Sequence, residues 1–499
     1  MNWLTSAVGD QLPVLQVVIP LLAAPLCIIL RRRSLVLPFA IIVCWAAFGV
    51  SVALLQEVLE VGAITYELGG WAAPWGIEYR VDALGAFVLL FVSGIGALVL
   101  TYAPRSLIDE VPAGRQYLFC TLYLLSLTGL LGIAITGDLF NVFVFLEIAA
   151  LSSYALIALG GRRQALPAAF QYLVMGTIGA TFILIGIGLM YQMTGTLNMV
   201  DMADRLPAVE GMRTALVAFG FLTVGIALKM ALFPLHVWLP NAYAYAPSVV
   251  SAFIAATSTK VSVYILLRFM FSVFGLEFSF EHLGLGRALM PLALAGIFVA
   301  STVAIFQRNI KRMLAYSSVA QVGYMVLGIS FATATGLTGG IVHLFNHALI
   351  KGGLFMAMGC IMLRLHSVDL DDMAGIGRAM PWTMAAWALG GLGLIGVPAT
   401  AGFISKWYLI EAALEQGSVL VAVLLLLSSL LALVYVWRVV ETAFFHEPSE
   451  RAREAREAPL SMLVPTWVLL GATVFFGIYT AYSAGVAEQA AEAVLGGLR

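Results

Sequence analysis

The feature that most constrains this chain is a succession of long apolar runs, from about residue 13 to residue 484, with few polar segments between them. A run of about 20 apolar residues is what a helix needs to cross the hydrocarbon layer of a bilayer. The runs fall at 13–30, 35–56, 81–103, 116–136, 138–160, 165–192, 213–233, 248–275, 288–306, 313–331, 335–363, 382–410, 417–445 and 462–484. Some neighbours are parted by little more than a turn, as Gly137 with Asp138 parts two of them. The chain is 62% apolar and 11% charged, whereas a soluble domain is roughly 45–50% apolar and about 25% charged. No soluble core could hide so much apolar surface, so the solvent is lipid. The fold class that follows is an all-α polytopic membrane protein of about fourteen transmembrane helices, one transmembrane domain over residues 1–499.

The net charge of −1 gives no case for a nucleic-acid partner. The four cysteines, Cys27, Cys44, Cys120 and Cys360, each lie in an apolar run without paired spacing, so they read as buried thiols and not as a disulfide or zinc framework. Arg31, Arg32 and Arg33 follow the first apolar run, where a cleavable signal would put its charge before it. The run reads as a retained helix with its N-terminus outside.

Orientation follows from Lys and Arg in the short loops. With the N-terminus outside, the inner loops carry Arg31, Arg32, Arg33, Arg105, Arg115, Arg162, Arg163, Arg308, Lys311, Arg312, Arg364, Arg378, Arg451, Arg453 and Arg456. The outer segments carry only Arg80, Arg205, Arg213, Arg287 and the terminal Arg499. A missed helix would scramble that bias, so it supports both the count and the direction, with the two termini outside. The long outer loop 57–80 reads as an aromatic, glycine-rich hairpin at the membrane surface (Tyr66, Trp71, Trp75, Tyr79), and the charged inner segment 446–460 reads as helical.

The informative charges lie inside the apolar runs: Glu147, Lys229, Lys260, Lys351, Lys406 and Glu411, with His343 and His347. A charge at mid-membrane costs at least about 2.5–3.5 kcal/mol on insertion scales, so it marks function unless a structural partner explains it. Glu147 follows Asp138 by about nine residues, hence lies about 14 Å along a helix. It is too short to snorkel and needs a proton or a partner; a structural salt bridge or a neutral helix-to-helix bond is the plainer alternative.

Lys229 precedes Pro234 by five residues, and a proline there frees a main-chain carbonyl near the lysine. Gly396, Pro398 and Gly402 lead to Lys406 in the same manner. Interrupted helices at mid-membrane are where transporters bind ions. The two interruptions fall in the seventh and twelfth runs, five apart, as two inverted five-helix repeats would place them: repeat one about 116–275, repeat two about 288–445. Ordinary kinked helices are the alternative.

His343, His347 and Lys351 recur every four residues and share one helix face. Three bases cannot all be charged side by side in low dielectric, so some stay neutral, as a proton relay requires. Satisfied core histidines are the alternative; a haem or metal pair is disfavoured because no acidic or cysteine ligand is near in sequence. Lys260 follows the small polar stretch Ala255–Thr259 and is expected to link Lys229 to the histidine face; His236, between Pro234 and Pro240, is either an entrance residue or structural.

Four segments now carry a resemblance: Asp138-Leu-Phe-Asn-Val-Phe-Val-Phe-Leu-Glu147-Ile; Lys229 with Phe233-Pro-Leu-His-Val-Trp-Leu-Pro-Asn-Ala; Arg308-Asn-Ile-Lys-Arg-Met-Leu-Ala-Tyr-Ser-Ser-Val-Ala-Gln-Val-Gly-Tyr324; and His343-Leu-Phe-Asn-His-Ala-Leu-Ile-Lys351. Together they resemble the antiporter-like subunits of respiratory complex I, membrane-bound hydrogenases and multisubunit (Mrp-type) cation/proton antiporters, over about residues 80–445. The chain looks most like the D-type members of the Mrp assemblies. It ends soon after its fourteenth run without a long lateral helix, it carries Lys406 where M-type members resemble this region but have Glu, and the stretch around Glu147 looks D-like.

The resemblance implies fourteen helices with helices 7 and 12 broken, two inverted five-helix repeats, and a polar axis of Glu147, Lys229, Lys260, His343, His347, Lys351 and Lys406. It implies a transporter subunit, not an enzyme. The subunit would exchange a monovalent cation, Na+ first, for protons, among other membrane subunits in a bacterial or archaeal plasma membrane, with no cofactor or metal of its own. Its N-type and hydrogenase relatives keep open a proton-pumping subunit of a complex I-like oxidoreductase. No nucleotide loop, iron–sulfur cysteine set or flavin fingerprint is seen, so redox chemistry would lie in other chains. A scaffold or channel without coupled transport is the third reading; it predicts that neutral polar residues can replace the buried lysines.

Overall fold

A computed structural model describes Gly9 and residues 11–497; Arg499 lies outside the described residues. The bundle opens with α1 (Leu12–Leu30), α2 (Arg33–Val61), α3 (Ala83–Glu110), α4 (Gln116–Ile135), α5 (Leu139–Ala158) and α6 (Ala165–Thr194). The seventh crossing is broken into α7a (Arg213–Lys229) and α7b (Leu239–Tyr245). Then come α8 (Ser248–Leu267, continued by a π-helical turn to Val273), α9 (Leu285–Ile305), α10 (Ile310–Ser330) and α11 (Ala334–Leu365). The twelfth crossing is broken into α12a (Pro381–Ile395) and α12b (Ala401–Glu415). Next are α13 (Val419–Phe445) and α14 (Leu460–Ile478), and a last helix, α15, covers Ala481–Leu495.

Twelve of these helices are long and apolar enough to cross a membrane unbroken. With the two broken crossings they make the fourteen that the apolar runs predict. The centre of the bundle is α8 and α10, each 94% buried over its most apolar stretch, against 39% for α6, α9 and α13 at the periphery. "Inner" below names the face that carries Arg31–Arg33 and Arg308–Arg312.

The helices α4–α8 and α9–α13 form two five-helix units, each broken in its fourth member. An odd number of crossings per unit puts the second upside down relative to the first. A shared hydrogen-bond pattern marks the correspondence. Asp138 and Asn198 form an antiparallel bridge, as do Asn309 and Asp369. In the first unit the Leu139 amide donates to Leu197 O and the Met199 amide to Gly137 O, both at 2.9 Å. In the second the Ile310 amide donates to Val368 O and the Leu370 amide to Arg308 O, again at 2.9 Å. Asp138 and Asn309 also play the same local part, each capping the amide three residues on, at Asn141 and Arg312. Each β-bridge satisfies main-chain groups between helix ends that would otherwise be orphaned.

The outer segment after α2 is a hairpin of β1 (Ile64–Glu67) and β2 (Glu78–Val81), with Tyr66 opposite Tyr79 and Trp71 and Trp75 exposed near its tip. The inner segment 446–460 differs from the helix expected of it, because only Glu450–Glu454 is helical. The rest is held extended as a strap between Pro448 and Pro459: the Ser449 hydroxyl donates to Asp372 O, and Glu457 O accepts from Arg364. Glu411 is exposed on α12b and is not gathered with the other intramembrane charges. The four cysteines are buried free thiols.

Candidate functional site

Asp138 is the N-cap of α5, and nine residues on stands Glu147. Its carboxylate accepts from Lys229 Nζ at 3.2 Å. Lys229 is the last residue of α7a. Past it the chain leaves the helical path: Ala231 has φ 57°, Pro234 and Pro240 withhold donors, and Trp238 Nε1 caps Leu228 O at 3.1 Å. Lys229 thus stands in the last turn of a half-helix, where the helix dipole favours a cation; its ammonium donates to Glu147, while Met230, Leu232 and Trp238 take up the last carbonyls of α7a. The lysine side chain is 6% exposed and that of Glu147 23%. Glu147 shares its α5 stripe with the exposed Phe140, Val144 and Leu151, so the pair stands at the flank of the chain and not at its centre.

Beside Lys229 is a cavity of about 30 Å³ lined by Tyr172, Ser153, Ser258 and Ser262, enough for about two water molecules. Ser258 and Ser262 lie on the face of α8 opposite Lys260. Lys260 points the other way. It donates to Ala255 O of its own helix and stands within electrostatic reach of His343, His347 and Lys351 on α11. Lys229 and Lys260 are thus not in contact, and α8 lies between the Glu147–Lys229 pair and the central bases.

The α11 trio is gathered as its spacing predicts. The His343 and His347 rings are parallel within 6°, their centroids 6.0 Å apart. His343 Nδ1 is paired with the Ser405 hydroxyl at 2.8 Å, while His343 Nε2 and both ring nitrogens of His347 have no hydrogen-bond partner among the described residues. Lys351 donates to Leu314 O at 2.7 Å and to the Ser317 hydroxyl of α10. Among the described residues no cluster of three or more His, Cys, Asp or Glu side chains is placed to hold a metal ion.

Lys406 also stands beside a break, on its far side, but with different partners. It lies on α12b and reaches back to the last carbonyls of α12a, Leu394 O at 3.1 Å and Ile395 O at 2.8 Å. Ser429 of α13 accepts a third bond at 2.9 Å, and the Tyr324 ring covers the ammonium at 4.9 Å. Tyr324 also lies 5.4 Å from the His343 ring, which joins Lys406 to the trio. His236 is half-buried, with its ring on Phe233 and no partner for Nδ1 among the described residues.

Three charged side chains escaped the sequence reading. Lys311, counted among loop cations, is buried and donates to Ala246 O at 2.8 Å. Its place two residues after the N-cap Asn309 was the available signal. Arg438 of α13 donates to Ile305 O and Gln307 O, capping the inner end of α9. Arg268 of α8 is buried in an ion pair with Asp82.

Residues 136–432 match the family described as NADH:quinone oxidoreductase/Mrp antiporter, TM. The chain is 43% identical over 486 residues to the NADH-quinone oxidoreductase subunit N of Desulforudis audaxviator, covering 94% of this chain and 96% of that one. It is 30% identical over 485 residues to the D-type subunit of the Na(+)/H(+) antiporter of Bacillus subtilis, covering 97% of each. Its fold superposes on a chain of the Mrp complex from Dietzia sp. with a TM-score of 0.90 at 24% identity over 98% of both chains. It also superposes on a chain of the membrane-bound sulfane sulfur reductase, an archaeal respiratory membrane complex, with a TM-score of 0.89 at 30% identity over 97% of this chain and 98% of that one.

Proposed function

From the premise that the chain belongs to the NADH:quinone oxidoreductase/Mrp antiporter transmembrane family, we propose that it is a proton-translocating antiporter subunit exchanging a monovalent cation, Na+ first, for H+ within a multisubunit complex. The observation that carries the reading is the Glu147–Lys229 pair at 3.2 Å, closed beside the break of α7. Two unit charges 4 Å apart are worth about 4 kcal/mol at an effective dielectric of 20. Moving one charge across 100 mV is worth about 2.3 kcal/mol. Opening the pair is thus of the size to be driven by, or to drive, one charge crossing the membrane.

When the pair opens, Lys229 is left a desolvated cation and sheds its proton. The cavity hydroxyls of Ser153, Ser258 and Ser262 offer the first leg of the route. Lys260, His347, Lys351 and His343 take it across the centre, and Lys406 delivers it at the second break. Because α8 parts Lys229 from Lys260, the step between them requires water to enter alongside that helix.

A partly exposed carboxylate in a stripe of Phe140, Val144 and Leu151 would be costly against lipid. That supports a neighbouring membrane subunit covering α5. The plasma membrane, with both termini outside, suits the arginine bias of the inner loops. A second reading, a proton-pumping subunit of a complex I-like oxidoreductase, draws on the 43% identity to a subunit N.

The test is proton and Na+ flux in proteoliposomes bearing the intact complex. Glu147→Ala and Lys229→Ala should each stop exchange with the complex still assembled. Full flux in both would end the proposal. Partners that carry flavin and iron–sulfur centres, with flux needing an electron donor, would move the chain to the second reading.

A further inference from the structure

Helix α3 belongs to neither five-helix unit, yet its two ends grip the two ends of α8, the helix of Lys260. At the outer end Asp82, the N-cap of α3, takes both prongs of the Arg268 guanidinium, Oδ2 from Nη1 at 2.6 Å and Oδ1 from Nη2. Arg268 Nε donates to the Tyr264 hydroxyl at 2.9 Å, and that hydroxyl donates to Ala134 O of α4 at 2.9 Å. Gly85 makes room: a Cβ there would lie 3.5 Å from Arg268 Nη2 and 3.0 Å from Ala134 O. At the inner end Glu110, the last residue of α3, accepts from the Ser248 amide at 2.8 Å and the Ser248 hydroxyl at 3.1 Å. Ser248 is the first residue of α8. Between the clamps the helices touch through a small residue, Gly96 of α3 against Phe253 of α8.

Apolar packing would hold two helices together as firmly as a buried ion pair does. What a two-pronged pair adds is a fixed geometry, and two carboxylates on one helix holding opposite ends of another leave it one axial position. That position matters for Lys260. Its ammonium is bonded to Ala255 O of α8 itself, so it rides with the helix. At about 1.5 Å per residue the Lys260 backbone lies about 12 Å from the Arg268 clamp and about 18 Å from the Ser248 clamp. A slip of α8 by a single turn would move it about 5.4 Å past His347 and Lys351.

We propose that α3 is a splint that fixes the axial register of the Lys260 helix, with Asp82, Arg268 and Glu110 as positioning residues for proton transfer at Lys260. The proposal rests on the reading of Lys260 as part of a proton route.

The test uses the intact complex in proteoliposomes. Two readouts are taken: proton flux with its apparent Na+ affinity, and amide hydrogen exchange over 248–270. Asp82→Asn and Arg268→Met should each slow turnover by about tenfold, since each leaves a buried partner uncompensated; Glu110→Gln, which keeps an acceptor oxygen for Ser248, should slow it less. Exchange should rise within 248–270, and apparent Na+ affinity should stay as in the wild type. Arg268→Lys, which keeps the charge and loses the fork, should recover part of the flux; it also carries the test if Asp82→Asn fails to assemble. An assembled Asp82→Asn/Glu110→Gln double variant with wild-type turnover would overturn the splint. So would slowed turnover with α8 exchange unchanged. Lys229→Ala separates the two readings: it should stop flux while leaving exchange over 248–270 as it was. If Lys229→Ala transports normally, the proton route fails, and the exchange data still judge the splint.

Discussion

Lys406 and Ile395 belong to opposite halves of α12, and the ammonium of the first donates to the main-chain oxygen of the second at 2.8 Å. The bond ties the two half-helices across their break and places a cation where the carbonyls of α12a end. Lys229 stands beside the corresponding break in α7 as the final residue of α7a. Each unit therefore sets a lysine beside its broken helix, Lys406 bonded to the carbonyls at the break and Lys229 to Glu147.

Lys406→Met keeps the length and apolar stem of the side chain and removes its donors. Leu394 O, Ile395 O and the Ser429 hydroxyl then lose their shared partner. Proton flux through the complex should fall by about a hundredfold, the size of losing one proton-transferring group, with the complex still assembled. Flux through proteoliposomes checks it, and a neutral result would favour the scaffold reading of the buried lysines.

Ser405→Ala addresses the link between the trio and α12b. The Ser405 hydroxyl is the partner of His343 Nδ1, and His343 Nε2 has none among the described residues. The variant leaves a buried imidazole wholly unpaired, at about 1–3 kcal/mol. Flux should drop by about tenfold, and Ser405→Thr, which retains the hydroxyl, should recover most of it.

The crossings, the two breaks and the α11 trio were legible because each is a local pattern: run length, Pro or Gly beside Lys, and four-residue spacing. What the sequence hid depends on which way helices face one another. Lys260 reads as the link between Lys229 and His347, but α8 turns it away from the cavity that Ser258 and Ser262 line. Lys311 carries the composition of a loop cation yet sits buried in the first turn of α10. Asp82 and Arg268 lie 186 residues apart, and nothing local to either announces the pair. Segment 446–460 has the charge pattern of a surface helix, but Arg451 bonds the end of α11 and Glu457 the start of α12a, which holds most of it extended.

Gly402→Ala tests the closeness of the second break. A Cβ at 402 would lie 1.9 Å from Gly393 O, a main-chain atom that cannot swing aside. The two halves of α12 would have to part, which breaks the reach of Lys406 to Leu394 O and Ile395 O. Overpacking of this kind costs about 1–3 kcal/mol. The variant should lower the thermal stability of the assembled complex and lose flux together. Gly471→Ala, where a Cβ meets no atom within 4 Å, should leave both unchanged.

Glu457→Ala tests the inner strap. The Glu457 carboxylate accepts from the Trp382 amide at 2.8 Å and from the Thr383 amide and hydroxyl, so it caps the inner end of α12a from a segment 75 residues away. A carboxylate at a helix N-terminus meets both unpaired amides and the positive end of the helix dipole. Its removal should cost about 1 kcal/mol, with raised hydrogen exchange at residues 381–384 and at 446–460 together. Glu457→Gln keeps an acceptor oxygen and should fall between the wild type and the alanine variant. Flux should fall far less than in Lys406→Met, because the cap lies at the helix end remote from the break. If exchange rose only at 381–384, the strap would be a passenger and Glu457 a cap alone.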